Sequence, residues 1–90
     1  MYYVYVIFSL KDRQLYIGYT DNLKARFLRH KGGFVRSTKY RFPIKLIYYE
    51  CYLLESDAKR REKFLKGGKG REELKIQLRD VFEKLGYKAR

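Results

Sequence analysis

Residues 2–8 (YYVYVIF) are seven consecutive β-branched or aromatic residues, and this run constrains the fold more than any other segment. A run of this kind has no polar face to offer to water. It reads as a strand buried on both faces in the middle of a sheet, with a neighbour on each edge and a covering layer on each side. Residues 9–14 (SLKDRQ) are polar and turn-like, and residues 15–19 (LYIGY) form a second short strand, which predicts a hairpin. Gly18 inside that strand marks a bulge or a close approach of backbone. Residues Ile44–Tyr52 (IKLIYYECY) supply a third strand.

The remaining segments are helical or irregular. Thr20 and Asp21 are good caps for a helix over residues 22–31, in which Leu23, Phe27 and Leu28 recur at helical spacing before Gly32 and Gly33. Residues 34–42 (FVRSTKYRF) have no period and read as a basic loop closed by Pro43. Ser56 is positioned to cap a helix over residues 57–66, whose inner stripe is Ala58, the stem of Arg61 and Leu65. Residues 67–70 (GGKG) break the chain. A last helix over residues 71–85 carries the stripe Leu74, Leu78, Val81, Phe82 and Leu85, with Gly86 as its stop. The order β-β-α-β-α-α predicts an α+β fold: a small three-stranded antiparallel sheet flanked by helices. Ninety residues with no long linker and no repeat predict one domain over residues 1–90.

Charge bears on partners. The chain has 22 Lys and Arg against 10 Asp and Glu, a formal net charge of +12. So much like charge in a small body points to a polyanion, with nucleic acid ahead of an anionic membrane surface. A monomer is expected because like copies repel. Ten Tyr and six Phe add faces on which bases stack, although most belong in a core. Cys51 is the one cysteine, which excludes an intrachain disulfide and a Cys-cluster zinc site and suits a reducing cytoplasm. The first residues lack a basic leader and a cleavage site, and no apolar run reaches the ~20 residues of a membrane span.

Four constellations carry possible chemistry. Tyr3 and Tyr5 share one face of the first strand, with Tyr16 on its hairpin partner. A phenol in a positive setting acquires a lower pKa and becomes a proton acceptor; the ordinary reading is that tyrosine packs well in strands. Arg26 and His30 lie four apart on one helix face, suited to stabilising phosphoryl charge and moving a proton, or else part of a solvated basic face. Glu62 stands among Lys59, Arg60, Arg61 and Lys63, either as a single carboxylate for Mg²⁺ or as an ion-pair partner for Lys66. The run 36–41 (RSTKYR) offers Arg36, Lys39, Tyr40 and Arg41 to a phosphate backbone.

Together these residues resemble the GIY-YIG nuclease family, over most of the chain. Tyr3-Val4-Tyr5 and Tyr16-Ile17-Gly18 look like its two strand motifs. Residues 21–26 (DNLKAR) look like its helix segment with the essential arginine, and His30 stands where small members often carry histidine. Residues 37–40 (STKY) and 46–50 (LIYYE) are similar to the linking segment and third strand of compact members, which are themselves similar to the N-terminal nuclease domain of the bacterial excision nuclease C subunit. Residues 58–66 (AKRREKFLK) resemble the metal helix, with Glu62 at the ligand position. Two departures stand out. Tyr3 replaces the glycine of the first motif, and residues 67–74 (GGKGREEL) lack the asparagine that several members carry there.

The resemblance implies a metal-dependent nuclease that hydrolyses phosphodiester bonds in nucleic acid, DNA favoured over RNA, with a role in DNA repair or recombination. Mg²⁺ or Mn²⁺ would sit on Glu62. Tyr5 or Tyr16, helped by His30, would take the proton of the attacking water. Arg26 would stabilise the transition state, and Lys66 and Lys69 would join the nucleic-acid contacts. The other reading is a nucleic-acid-binding module that no longer cuts; a basic membrane-surface or ribosome-associated protein is a third.

Overall fold

A computed structural model describes residues 1–86 of the chain. Its elements are β1 (Tyr2–Ser9), β2 (Leu15–Thr20), α1 (Leu23–Lys31), β3 (Ile44–Tyr52), α2 (Glu55–Lys66), α3 (Gly68–Gln77) and α4 (Arg79–Leu85). The sheet is antiparallel in the order β2-β1-β3, so the first run of the sequence is the central strand, as its composition predicts. Val4, Val6, Ile7 and Phe8 are all fully buried.

Alternation along β1 divides the molecule into two layers. Val4, Val6 and Phe8 point to one face, where Leu15 and Ile17 of β2 join Ala58, Leu65, Leu74, Leu78 and Phe82 of the helices in the main core. Tyr3, Tyr5 and Ile7 point to the other face. In the register, Tyr5 lies opposite Gly18 on β2 and opposite Tyr49 on β3. Pairing of β1 with β3 slips between Val6 and Ile7, where Ile47 is the additional residue, a bulge in β3. This slip lets both Ile47 and Tyr48 pack on the core.

The helix boundaries differ from the sequence expectation in instructive ways. Asn22, rather than Thr20 or Asp21, caps α1: its side-chain oxygen accepts from Ala25 N at 3.0 Å. Thr20 instead closes the turn before it, its hydroxyl accepting from Asn22 N at 3.1 Å. Ser56 is inside α2, not its cap. The helix begins two residues earlier with Leu54 as N-cap and no side-chain cap bond, and the acidic Glu55 and Asp57 complement the positive end of its dipole. The break predicted over residues 67–70 shrinks to Gly67 alone, where the backbone is extended (ψ 171°), and Gly68 already begins α3. The single last helix is two, α3 and α4, meeting at Leu78 (φ −108°, ψ 27°). Hydrogen bonds from Leu78 N to Leu74 O (2.8 Å) and Phe82 N to Leu78 O (2.9 Å) run through the bend. The predicted stripe therefore stays on the sheet: Leu74, Leu78 and Phe82 are buried, and Val81 and Leu85 partly so.

Gly70 explains why α2 and α3 follow each other so tightly. It is buried, and a Cβ on it would overlap the Phe64 carbonyl and lie 2.5 Å from Leu65 Cα, both backbone atoms that cannot move aside. A Cβ on Gly68 meets nothing within 4 Å. We expect Gly70→Ala to lower the thermal midpoint by several degrees, corresponding to about 1–3 kcal/mol of overpacking. Gly68→Ala should leave the midpoint unchanged or raise it, because alanine is the better helix former. Equal midpoints for the two variants in thermal denaturation would contradict this account of the α2–α3 junction.

A candidate active-site cleft

One cleft, of about 470 Å³, collects residues from six segments of the chain. Leu15, Tyr16, Ile17, Gly18 and Tyr19 of β2 line it, so residues from both sides of this edge strand reach it. Tyr5 comes from β1, Arg26 and His30 from α1, Ser37 from the connection after α1, and Glu62 with Lys66 from α2; Arg71 of α3 completes the lining. All five residues expected to act in catalysis, Tyr5, Tyr16, Arg26, His30 and Glu62, thus meet in one place, and Lys66 joins them.

Gly18 makes the centre of the cleft possible. The Tyr5 ring lies across it: a Cβ there would overlap the Tyr5 hydroxyl and sit 2.6 Å from Cζ. The strand glycine is therefore a close-approach site, one of its two expected meanings. The ring extends to α1, where Arg26 Nε donates to Tyr5 Oη at 3.2 Å and His30 Nε2 lies 3.0 Å from the same oxygen. The four-residue spacing of Arg26 and His30 puts both side chains on one face, which is how both reach one atom. His30 Nδ1 is 2.7 Å from Thr38 Oγ1, and both residues are almost wholly buried. Burial, and then the positive charge of Arg26, push the His30 pKa down to about 4, so the imidazole is neutral near pH 7.

Tyr16 is placed differently. Its hydroxyl donates to Asp12 Oδ2 and accepts from Arg41 Nε at 2.9 Å, while Arg41 Nε also pairs with Asp12 at 3.0 Å. Burial, and next the bond to the Asp12 carboxylate, raise the Tyr16 pKa above that of an ordinary phenol. The positive setting expected to lower it is outweighed. Burial pushes Asp12 upward, but the bonds from Tyr16, Gln14 N and Ser9 together with Arg41 outweigh it and hold the carboxyl below its usual range. Tyr3, on the same face as Tyr5, turns to Tyr49 instead, with ring centroids 6.0 Å apart.

Glu62 is the one carboxylate in the cleft lining. Lys66 Nζ is 3.2 Å from its Oε2, so the ion pair weighed for this position forms on the rim of the cleft. Among the described residues no group of three or more His, Cys, Asp or Glu is arranged to hold a metal. Arg36, Lys39, Tyr40 and Arg41 lie exposed on the connection between α1 and β3. Arg41 is committed to Asp12 and Tyr16, and Lys39 Nζ stands 5.4 Å over the Tyr40 ring. Lys69 is exposed outside the cleft lining. Sequence reasoning missed Asp12, Thr38 and Arg71. Thr38 stands in the sequence as one member of a basic run and of the linking segment, with no role attached, and Arg71 reaches the cleft through the short Gly67 junction, which nothing local announces.

Behind this centre the core side of the sheet carries a second polar cluster. Glu50 accepts from Tyr48 (2.7 Å), Tyr52 (2.6 Å) and both ends of the Arg61 fork (2.9 and 3.0 Å). Arg61 also reaches Glu73 at 2.6 Å, so β3, α2 and α3 are tied together. Burial raises Glu50, yet these bonds together hold it below the usual carboxylate range; burial and then Glu50 push Tyr48 and Tyr52 up to about 12.

The low His30 pKa has a consequence for stability. The unfolded chain takes up a proton near pH 6.5 that the folded chain refuses until about pH 4. Stability is thus intact above pH 6.5 and falls as pH drops toward 4, by roughly 3 kcal/mol over the whole window. Urea unfolding at pH 7.5 and pH 5 should differ by roughly 2 kcal/mol in the native chain. His30→Gln should flatten that difference. Asp12 and Glu50, with depressed values, begin to count only at lower pH, as unfolded carboxylates protonate. An unchanged slope in the variant would place the acid sensitivity elsewhere.

Comparison with known proteins places the chain in a family. The model of the GIY-YIG catalytic domain matches residues 1–75. A UPF0213 protein of Staphylococcus haemolyticus is 40% identical over 76 residues, covering 83% of this chain and 92% of that protein. One from Clostridium perfringens is 39% identical over 67 residues, 73% of this chain and 71% of its own length. One from Pediococcus acidilactici is 41% identical over 79 residues, 82% and 78%. No solved structure gives a significant match. Among the described residues no helix is long and apolar enough to cross a membrane. The domain match spans all three strands and both α1 and α2, and with these relatives it shows that this chain belongs to the GIY-YIG family.

Proposed function

We propose that the chain is a metal-dependent nuclease hydrolysing phosphodiester bonds in nucleic acid, DNA in preference to RNA. The observation that carries this reading is convergence: a tyrosine oxygen bonded by an arginine and facing a neutral histidine shares one cleft with a single carboxylate and two further cations. A net charge of +12 favours a polyanionic substrate. A part in DNA repair or recombination is consistent with this chemistry.

The roles divide by geometry. Tyr5 is the proton acceptor for the attacking water, because it lines the cleft with its oxygen held by Arg26 and His30, whereas Tyr16 is committed to Asp12. Arg26 neutralises charge that grows on the phosphoryl oxygens, as a guanidinium suited to bidentate contact with them. Lys66 and Arg71 bind the substrate phosphates, and exposed Arg36, Lys39 and Tyr40 extend that contact. Glu62 is the side chain that would hold Mg²⁺ or Mn²⁺. One carboxylate, completed by waters and phosphate oxygens, is a donor set that Mg²⁺ accepts. A bound ion there supplies Lewis-acid polarisation of a phosphate oxygen. Lys66 has to release Glu62 for this, and its side chain, 53% exposed, is free to turn to a phosphate.

The deciding measurement is cleavage of end-labelled single-stranded, duplex, flap and branched DNA and of RNA, with Mg²⁺ or with EDTA. We expect metal-dependent cutting that Glu62→Gln reduces by about 10²-fold or more while binding persists. Arg26→Ala should reduce turnover of bound substrate by a similar factor. Tight binding with no cutting by the native chain, indifferent to Glu62→Gln, identifies an inactive binding module instead.

A further inference from the structure

Thr38 is wholly buried, and its backbone is already engaged: its N–H donates to Val35 O at 3.2 Å and its carbonyl accepts from Arg41 N at 3.0 Å. Among the described residues, the one hydrogen-bond partner of its hydroxyl is His30 Nδ1 at 2.7 Å. A hydroxyl carries one proton, and in a position closed to solvent that proton needs an acceptor. If Nδ1 carried the imidazole proton, the Thr38 proton would be stranded. Donation from Thr38 to Nδ1 satisfies both groups.

The rest follows by counting protons. Neutral imidazole has one N–H, which must then be on Nε2. Nε2 lies 3.0 Å from Tyr5 Oη and donates to it, as Arg26 Nε does at 3.2 Å. The phenol oxygen thus accepts from two fixed donors, and its own proton is left to the cleft that Tyr5 lines.

We infer that Thr38 is a positioning residue: by donating to His30 Nδ1 it holds the Nε2–H tautomer, so that His30 and Arg26 form a two-donor pocket for negative charge on the Tyr5 oxygen. The tautomer rests on geometry alone; its catalytic consequence rests on the nuclease reading. In that reaction Tyr5 first loses its proton to solvent through the cleft. The phenolate then takes one proton from the attacking water, whose oxygen bonds to phosphorus. The bond from phosphorus to the leaving oxygen breaks, and that oxygen keeps the electron pair and takes a proton from solvent. His30 acts as a donor throughout and is not itself the base.

His30 is the only histidine in the chain, so nitrogen-15 NMR of the imidazole reads the tautomer without ambiguity. At pH 7 we expect a proton-bearing Nε2 and an unprotonated, hydrogen-bonded Nδ1. Thr38→Val, of similar shape but with no donor, should mix the tautomers and lower kcat by about tenfold or more with KM unchanged. Thr38→Ser should restore both. A native spectrum with the proton on Nδ1 overturns the inference, as does a folded Thr38→Val chain with native nitrogen shifts and native kcat. Should Thr38→Val not fold, the native spectrum and Thr38→Ser still decide, since serine must keep spectrum and rate. The spectrum needs no turnover, so a native chain with the expected tautomer that cuts nothing overturns the nuclease reading and the catalytic step, not the Thr38–His30 arrangement.

Discussion

The arrangement turns on one oxygen atom. Tyr5 Oη is reached from the central strand, across a glycine of the edge strand, and it meets two side chains of α1. Each link is a steric or polar requirement. The glycine must lack a Cβ for the ring to pass. Arg26 and His30 must lie one helical turn apart to touch the same atom. His30 must be closed off from water to stay neutral. The layer that covers this side of the sheet is therefore held by polar contacts at its centre, whereas the opposite layer is held by aliphatic packing around Leu65 and Leu74.

Much of this is legible in the residues themselves. An unbroken apolar run announces a central strand, and β3 is delimited to the residue, because in both cases burial and β-propensity agree. The four-residue spacing of Arg26 and His30 announces a shared face. Gly18 announces a close approach without saying what approaches, since that depends on register with β1. Helix starts are less legible. Thr20, Asp21 and Asn22 are all competent caps, and the choice among them is made by the turn that leaves β2. The glycine-rich segment 67–70 reads as a break by its propensity, but Gly70 is present for lack of volume rather than for flexibility, and only the packing of α3 on α2 reveals that.

The candidate site shows the same division. The residue types that do chemistry are visible one by one, each with an ordinary competing reading. Glu62 forms the ion pair with Lys66 that is one of its two readings, and it does so as the one carboxylate of the cleft lining. Tyr16 carries the right chemical group in the right cleft, yet burial, and next Asp12 four residues earlier across a turn, change its proton affinity in the opposite direction to the net charge. Local burial and pairing outweigh the global field because they act at contact distance, while distant charges act through water.

The lining of the cleft is drawn from β1, β2, α1, α2 and α3, with Ser37 from a connecting segment. Its members span positions 5 to 71, so no fragment shorter than that span possesses the constellation. A nascent chain emerging from the ribosome already carries much of the net positive charge of the protein, but not the arrangement that gives this charge a direction. The constellation exists only in the completed fold, and displacing any one of these elements dismantles it.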